Sequence, residues 1–247
     1  MKGVILAGGS GTRLHPLTKI TNKHLLPLYN KPVIFHAVEK LVNAGIDRIM
    51  MVVSPAYLDD FVSVLGSGQD FKTATGHQIQ IVYGIQNEPG GIAQGLCIAK
   101  DFVGTESCVL HLGDNIIEDD ISEHVANFTS GAKIFLKSVH DPERFGVATL
   151  DEAGNVIEVI EKPKQPKTDL AVVGVYIYDN TVFEKMIGQP VSDRGEYEIT
   201  WVTNKYIEEG TLKSGHVKGA WFDIGTFDSL LNASQYMKEK YLKHAAQ

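Results

Sequence analysis

Cysteine is scarce. Cys97 and Cys108 are the only two in 247 residues, each beside apolar neighbours (Leu96-Cys97-Ile98, Ser107-Cys108-Val109). That count excludes a disulfide framework and predicts two buried free thiols in a reducing compartment. Positive charge is also short, with 23 Lys and Arg against 30 Asp and Glu for a net charge of −7. The chain therefore has no overall field to attract nucleic acid or an anionic membrane, and its basic groups matter only locally. No apolar run approaches the ~20 residues that span a bilayer. The N-terminus opens directly on a strand-like segment with no leader, so a cytoplasmic protein is expected. The nine histidines lack ligand spacing, which argues against a zinc site. No Gly-x-Ser-x-Gly or paired Cys/His marks a covalent nucleophile. Internal repeats, low-complexity tracts and long linkers are absent too.

What is present is a glycine-rich loop with cations in it. The apolar run 4–6 empties into Gly8, Gly9 and Gly11, followed by Thr12, Arg13 and then Lys23. An ordinary strand-to-helix turn needs one glycine or two. Three let backbone N–H groups approach a polyphosphate without Cβ interference, and the two cations neutralise its charge. The loop is neither of two familiar phosphate motifs. Leu14 or Ser10 stands where the dinucleotide fingerprint needs glycine, and Gly8 is followed by Gly9-Ser10, not by Lys and Ser/Thr. An arginine inside the turn is the alternative device, forking onto two phosphate oxygens at any working pH.

Around this loop the pattern predicts an α/β fold. Strands are expected near 2–7, 48–54, 79–84 and 107–112, with helices near 32–44, 57–65, 91–101 and 120–130. Apolar strands separated by helices mean a parallel sheet covered on both faces, with ligands at the carboxyl ends of its strands. The second half reads as a hairpin (147–150 and 156–161 around 151–155), a strand at 171–178, a helix at 198–209 and a closing helix from 226.

Several other residues carry chemistry. Asp114 follows a strand and falls beside the glycine loop, where it could hold Mg²⁺ against a phosphate; capping a following helix is the plainer alternative. Asp223 sits among apolar neighbours and needs a cation or donors nearby. Spacing does not say whether the two meet. In Glu161-Lys162-Pro163 the proline is expected to hold Lys162 extended, with Glu161 on the opposite face. Gln86 and Gly90-Gly91-Ile92-Ala93-Gln94 could read a base edge. Cations for phosphates, carboxylates for a metal and no evident general base fit phosphoryl or nucleotidyl transfer.

Taken in order, Gly8-Gly9-Ser10-Gly11-Thr12-Arg13-Leu14, Lys23-His24-Leu25-Leu26-Pro27, Gly90-Gly91, Leu112-Gly113-Asp114-Asn115, Arg144-Phe145-Gly146-Val147, Glu161-Lys162-Pro163, Arg194-Gly195-Glu196-Tyr197 and Asp223-Ile224-Gly225-Thr226 resemble the sugar-1-phosphate nucleotidyltransferases. The likeness is greatest to those that join dTTP to glucose 1-phosphate. It implies a Rossmann-like three-layer α/β sandwich with a mixed, largely parallel sheet. One domain would span 1–247: a nucleotide-binding half to about 115, a sugar-binding half at about 116–225 and a closing helix at 226–247. It further implies Mg²⁺ on Asp114 and Asp223, and pyrophosphate as the second product. Arg13 and Lys23 would act on the nucleotide phosphates and Lys162 on the sugar phosphate. Leu6, Gly8, Gly9, Gly11, Thr12, Gln86 and Gly91 would contact the nucleotide, and Gly146, Glu161, Val172, Arg194 and Glu196 the sugar. A homo-oligomer is implied as well. UTP in place of dTTP and a catalytically inactive nucleotide-sugar sensor are the alternatives. Two departures stand out. Phe145 replaces a tyrosine common in such proteins. The sequence also ends soon after its closing helix, where longer members carry a regulatory extension, so feedback inhibition through that extension is not expected.

Overall fold

The computed structural model describes residues 1–245. In its first part, strands β1 (Lys2–Ala7), β2 (Pro27–Leu28) and β3 (Lys31–Pro32) lead into helix α1 (Val33–Asn43). Then follow β4 (Arg48–Val53), α2 (Leu58–Leu65), β5 (Gln80–Ile85), α3 (Ile92–Ile98), α4 (Lys100–Val103) and β6 (Cys108–Leu112). The second part comprises β7 (Asn115–Ile117), α5 (Ser122–Ala126), β8 (Ala132–Ser138), β9 (Gly146–Leu150), β10 (Val156–Glu161), β11 (Leu170–Tyr178), α6 (Val182–Lys185), α7 (Ile199–Glu208), β12 (Leu212–His216), β13 (Trp221–Asp223) and α8 (Phe227–Ala245).

Nine strands form one mixed sheet in the order β10-β9-β11-β6-β1-β4-β5, with β8 paired to β11 and β12 to β8. The pairs β6-β1, β1-β4 and β4-β5 are parallel, as their apolar composition demands. Only β10 and β11 run against the rest. Alternate residues of β1 feed opposite faces. Ile5 and Ala7 pack with Ile34, Val38, Leu41 and Phe61 of α1 and α2, whereas Val4 and Leu6 pack with Leu96, Val103, Val202 and Tyr206 beneath α3, α4 and α7. This two-sided covering makes three layers. A smaller core of Leu28, Val33, Ile116, Ile224 and Ala233 seats α8.

Local chemistry explains the boundaries. Gly45, at φ +83°, ends α1 with its N–H on the Val42 carbonyl, and the Ile46 N–H returns to Leu41. Thr226 and Ser229 cap α8 reciprocally, each hydroxyl accepting the other's backbone N–H at 3.1 and 3.2 Å. Asp151 accepts the N–H groups of Ala153 and Asn155 and so shapes the β9-β10 turn.

Three expectations need correction. The helix near 91–101 is two, because Ala99 turns tightly onto Leu96 through an i→i−3 bond. The helix near 120–130 is only Ser122–Ala126, ending before Gly131 at φ +79°. Of the two thiols only Cys108 is buried; Cys97 lies on the outer face of α3, whose inner face is Ala93 and Leu96. The last two residues of the expected closing segment lie outside the described residues. Among the described residues no helix is long and apolar enough to cross a membrane.

Burial keeps three histidines neutral. Desolvation pushes His24 down to about 3 and His36 and His111 down to about 4 from an ordinary 6.5. The unfolded chain therefore binds more protons than the fold between those values, so stability falls as pH drops below 6.5. His36→Leu, which also removes a buried, unpartnered Nε2, should make that fall shallower between pH 6.5 and 4 in urea-unfolding titrations; an unchanged slope would clear His36 of any part in it.

Candidate active site

The glycine loop leaves the carboxyl end of β1 and is pinned by a buried asparagine. The Asn22 amide donates to the Ala7 and Gly9 carbonyls at 3.5 and 3.4 Å, while its oxygen accepts the His24 N–H and so starts the turn that carries Lys23. Gly8 lets the Gln86 amide lie against the loop, since an added Cβ would stand 2.5 Å from Gln86 Oε1 and push that side chain aside. Gly11 answers to backbone geometry: at φ +63° it turns the chain into the Thr12–Leu14 helical turn, with its carbonyl taken by the Thr18 hydroxyl. Gly11 and Thr12 do not line the cleft below, because their turn lies against the Lys23 stem and Thr18.

Asp114 and Asp223 are 109 positions apart, and the short strands β7 and β13 bring them together. Asp223 pairs with Asn115, and the Ile224 N–H donates to the Asp114 carbonyl at 2.8 Å. A strand, not a helix, follows Asp114, so helix capping is not its role. Burial alone would raise the Asp114 carboxyl, but Lys23, ion-paired to its Oδ2, holds it well below the usual range. The opposite holds for Asp223, which burial and the neighbouring Asp114 charge push up to about 6, against the pull of Lys23, Arg144 and Arg13. The Arg13 guanidinium lies over Gly225, where an added Cβ would meet Nη2 at 2.8 Å.

Asn115 locks this corner. Its amide donates to Asp114 Oδ1 at 2.9 Å, and its oxygen accepts the Trp221 indole N–H at 2.7 Å and the Gly174 N–H at 3.1 Å. Gly174 lies where β11 passes from β9, paired at Ala171, to β6, paired from Val175 onward. Its N–H is thus free to reach Asn115, and a Cβ there would sit 2.5 Å from the Asn115 amide carbon.

The opposite wall comes from the β9-β10 hairpin and the loop before α7. Gly146 lies against Thr200, whose Cγ2 would stand 3.1 Å from an added Cβ, with Glu161 Oε2 beyond it at 3.4 Å. Lys162 departs from expectation: its φ is +42°, not extended, with its N–H bonded to the Phe145 carbonyl at 2.9 Å. That bond continues the hairpin one residue past β10 and brings Lys162 onto the same side as Glu161, with Nζ 3.8 Å from Oε1. Non-glycine residues in this region are strained by about 1–3 kcal/mol and cluster at functional sites. Arg194 ties Glu161, Glu196 and Glu198 together at 3.1, 3.0 and 3.3 Å. Burial and the Glu198 charge raise the Glu161 carboxyl in spite of Lys162 and Arg194. The two walls are joined by backbone: the Tyr197 N–H donates to Gly90 at 2.7 Å, and the Ala93 N–H to Tyr197 at 3.1 Å. Gly91, at φ +99°, has no space for a Cβ, which would fall 2.6 Å from the Tyr197 oxygen.

Between the walls lies a cleft of about 600 Å³. Leu6, Gly8, Gly9, Arg13, Lys23, Gln86, Gly91, Asp114, Gly146, Glu161, Lys162, Val172, Arg194, Glu196 and Asp223 all line it, as do Asn115, Arg144, Tyr176 and Trp221, which sequence reasoning gave no role. Asn115 and Arg144 stand inside the motifs quoted above, and that adjacency was their signal. Trp221 and Tyr176 had none, since only the sheet brings them here.

A doubly covered α/β sheet with a glycine-rich, cation-bearing loop and two carboxylates at one end of its central strands is the frame of an enzyme acting on phosphate esters. The nucleotidyl transferase family model matches residues 2–240, and the chain belongs to that family. It is 43% identical over 243 residues to the glucose-1-phosphate thymidylyltransferase of Mycolicibacterium smegmatis, covering 96% of this chain and 82% of the relative. It superposes with a TM-score of 0.88 on a candidate glucose-1-phosphate thymidylyltransferase from Bacillus anthracis solved in complex with sucrose, at 47% identity over 96% of this chain and 94% of that one. A UDP-glucose pyrophosphorylase complexed with UDP-glucose matches at a TM-score of 0.83 and 22% identity, covering 97% of this chain and 98% of that one, and shares the fold.

Gly174→Ala should cost about 1–3 kcal/mol of stability by overpacking Asn115. In an Asn115→Ala background the same change should cost much less, a coupling that urea unfolding of the double-mutant cycle will measure. Equal costs in both backgrounds would mean that Asn115 is not what fills the space at Gly174.

Proposed function

We propose that the chain transfers a thymidylyl group from dTTP to glucose 1-phosphate, giving dTDP-glucose and pyrophosphate. The observation that carries this reading is the placing of Asp114 and Asp223 beside Arg13 and Lys23 on one wall of a single cleft, with Lys162 and Arg194 on the other. Relatives named for this reaction, alike over nearly the whole chain, support it.

In this reading a phosphate oxygen of glucose 1-phosphate attacks the α-phosphorus of dTTP. The new P–O bond forms as the bond from the α-phosphorus to the bridging oxygen breaks, and the electron pair leaves with pyrophosphate. The attacking phosphomonoester is already an anion, so no general base is needed. Lys162 draws the sugar phosphate towards the reacting centre, with Arg194, Glu161, Glu196, Gly146 and Val172 around the sugar. Arg13 and Lys23 hold the triphosphate, and Arg13 takes up the charge that collects on the departing pyrophosphate. The base lies against Leu6, Gln86 and Gly91, while Gly8 and Gly9 bring backbone N–H groups to the phosphates.

Asp114 and Asp223 fit a divalent cation such as Mg²⁺. They are adjacent and mutually repelling, and among the described residues no third His, Cys, Asp or Glu joins them. Two carboxylates leave coordination positions for phosphate oxygens and water, which suits Mg²⁺. When bound, such an ion neutralises phosphate charge at the reacting centre.

Pyrophosphate release should appear with glucose 1-phosphate and dTTP, and more weakly with UTP, since one methyl group separates substrates by only about 1–3 kcal/mol. No release with any nucleoside triphosphate would defeat the proposal. Arg13→Ala should lower kcat by at least ~10²-fold with little change in dTTP binding, because its contact strengthens as charge develops. A rise confined to KM would make Arg13 a ground-state clamp instead.

A further inference from the structure

Each carboxylate of the pair has a cation of the chain beside it. Lys23 is paired to Asp114 Oδ2, and Arg144 Nη2 lies 3.4 Å from Asp223 Oδ2. Arg144 has no part in the reading given above, yet it lines the same cleft. It is held mainly from elsewhere: Nη1 pairs with Asp141 Oδ2 at 2.5 Å, and the guanidinium stacks over Phe145, 5.1 Å from its ring centre. Phe145 in turn packs on Trp221, with ring centres 4.9 Å apart. The arginine is therefore anchored through one nitrogen and leans on Asp223 through the other. The long contact can open without loss of the anchor.

A divalent cation needs the same Asp223 oxygens that Arg144 faces, and two cations cannot share that space without strong repulsion. We propose that Arg144 is a displaceable counterion of Asp223: it yields this carboxylate when a divalent cation takes it, and a phosphate group in the cleft receives the freed guanidinium. The proposal rests on the reading of Asp114 and Asp223 as the cation pair. Its consequence is that cation and phosphate ligand bind cooperatively. Without phosphate the cation must evict Arg144 at a net loss, and with phosphate the arginine exchanges one anion for another. Such coupling is reciprocal by linkage. Arg144 is thus a positioning residue, keeping Asp223 in place until both ligands arrive.

Mn²⁺ titrated into the whole protein without nucleotide, with the free ion read by electron paramagnetic resonance, tests this directly. Arg144→Ala should bind Mn²⁺ about fivefold more tightly than wild type, the scale of a partly exposed ion pair. Arg144→Lys, which keeps the charge, should bind it close to the wild-type level. Damage to the fold weakens binding and so cannot imitate the gain. Saturating glucose 1-phosphate should tighten Mn²⁺ binding in wild type and change it little in Arg144→Ala. Asp223→Asn should weaken Mn²⁺ binding. If Asp223→Asn weakens it but Arg144→Ala binds no more tightly than wild type, the counterion role is overturned while the cation pair stands. If Asp223→Asn binds Mn²⁺ as wild type does, the cation pair itself falls, and the proposal with it.

Discussion

Two carboxylates held side by side in a largely buried corner repel each other, and much of the cleft is arranged to meet that repulsion. The contact that forces them together is backbone pairing: Asp223 lies opposite Asn115, and the Ile224 N–H is bonded to the Asp114 carbonyl. Neither residue can retreat without breaking the β7-β13 ladder. Compensation must come from side chains, and it comes from Lys23 on one carboxylate and Arg144 on the other, with Arg13 close by. The opposed shifts of the two acids express this arrangement, since Lys23 pairs directly with Asp114 while Asp223 feels both its burial and its neighbour's charge. A fold that places acids this way has built a demand for positive charge at the point where a phosphate chain would enter.

That demand explains otherwise unrelated local features. Asn22 exists as a clamp between the glycine loop and the Lys23 turn, so loop shape and lysine position are one structural unit. Asn115 uses one amide N–H on Asp114 and both lone pairs of its oxygen on Trp221 and Gly174, drawing together three elements distant in sequence. On the other wall Arg194 is surrounded by carboxylates, which balances its charge and fixes its direction towards the cleft.

Much of this could be read from the sequence, for reasons that differ by element. The parallel strands and the helices between them were legible because burial on both faces leaves an unbroken apolar run, as at 49–53. The hairpin at 146–161 was legible because Asp151-Glu152-Ala153-Gly154-Asn155 is turn chemistry. β13 was hidden, since Trp221-Phe222-Asp223 is too short for periodicity and pairs only with another three-residue strand. The meeting of Asp114 and Asp223 was hidden for the same reason. Lys162 misled because the rule for residues before proline describes local sterics, while the bond to Phe145 and the hairpin impose a different backbone. Cys97 misled because apolar neighbours in a helix do not share its face; the helical period, not adjacency, decides exposure.

β11 touches three strands: β8 along one edge, and first β9 and then β6 along the other. No other strand pairing in the nine-stranded sheet links the glycine-loop strands to the hairpin that carries Glu161. Within the sheet the two walls of the cleft are therefore coupled through β11 alone, and its register with β9 rests on Ala171 opposite Val147. The shape of the cleft thus hangs on the pairing of one strand, and local opening of β11 would release the hairpin wall from the glycine-loop wall.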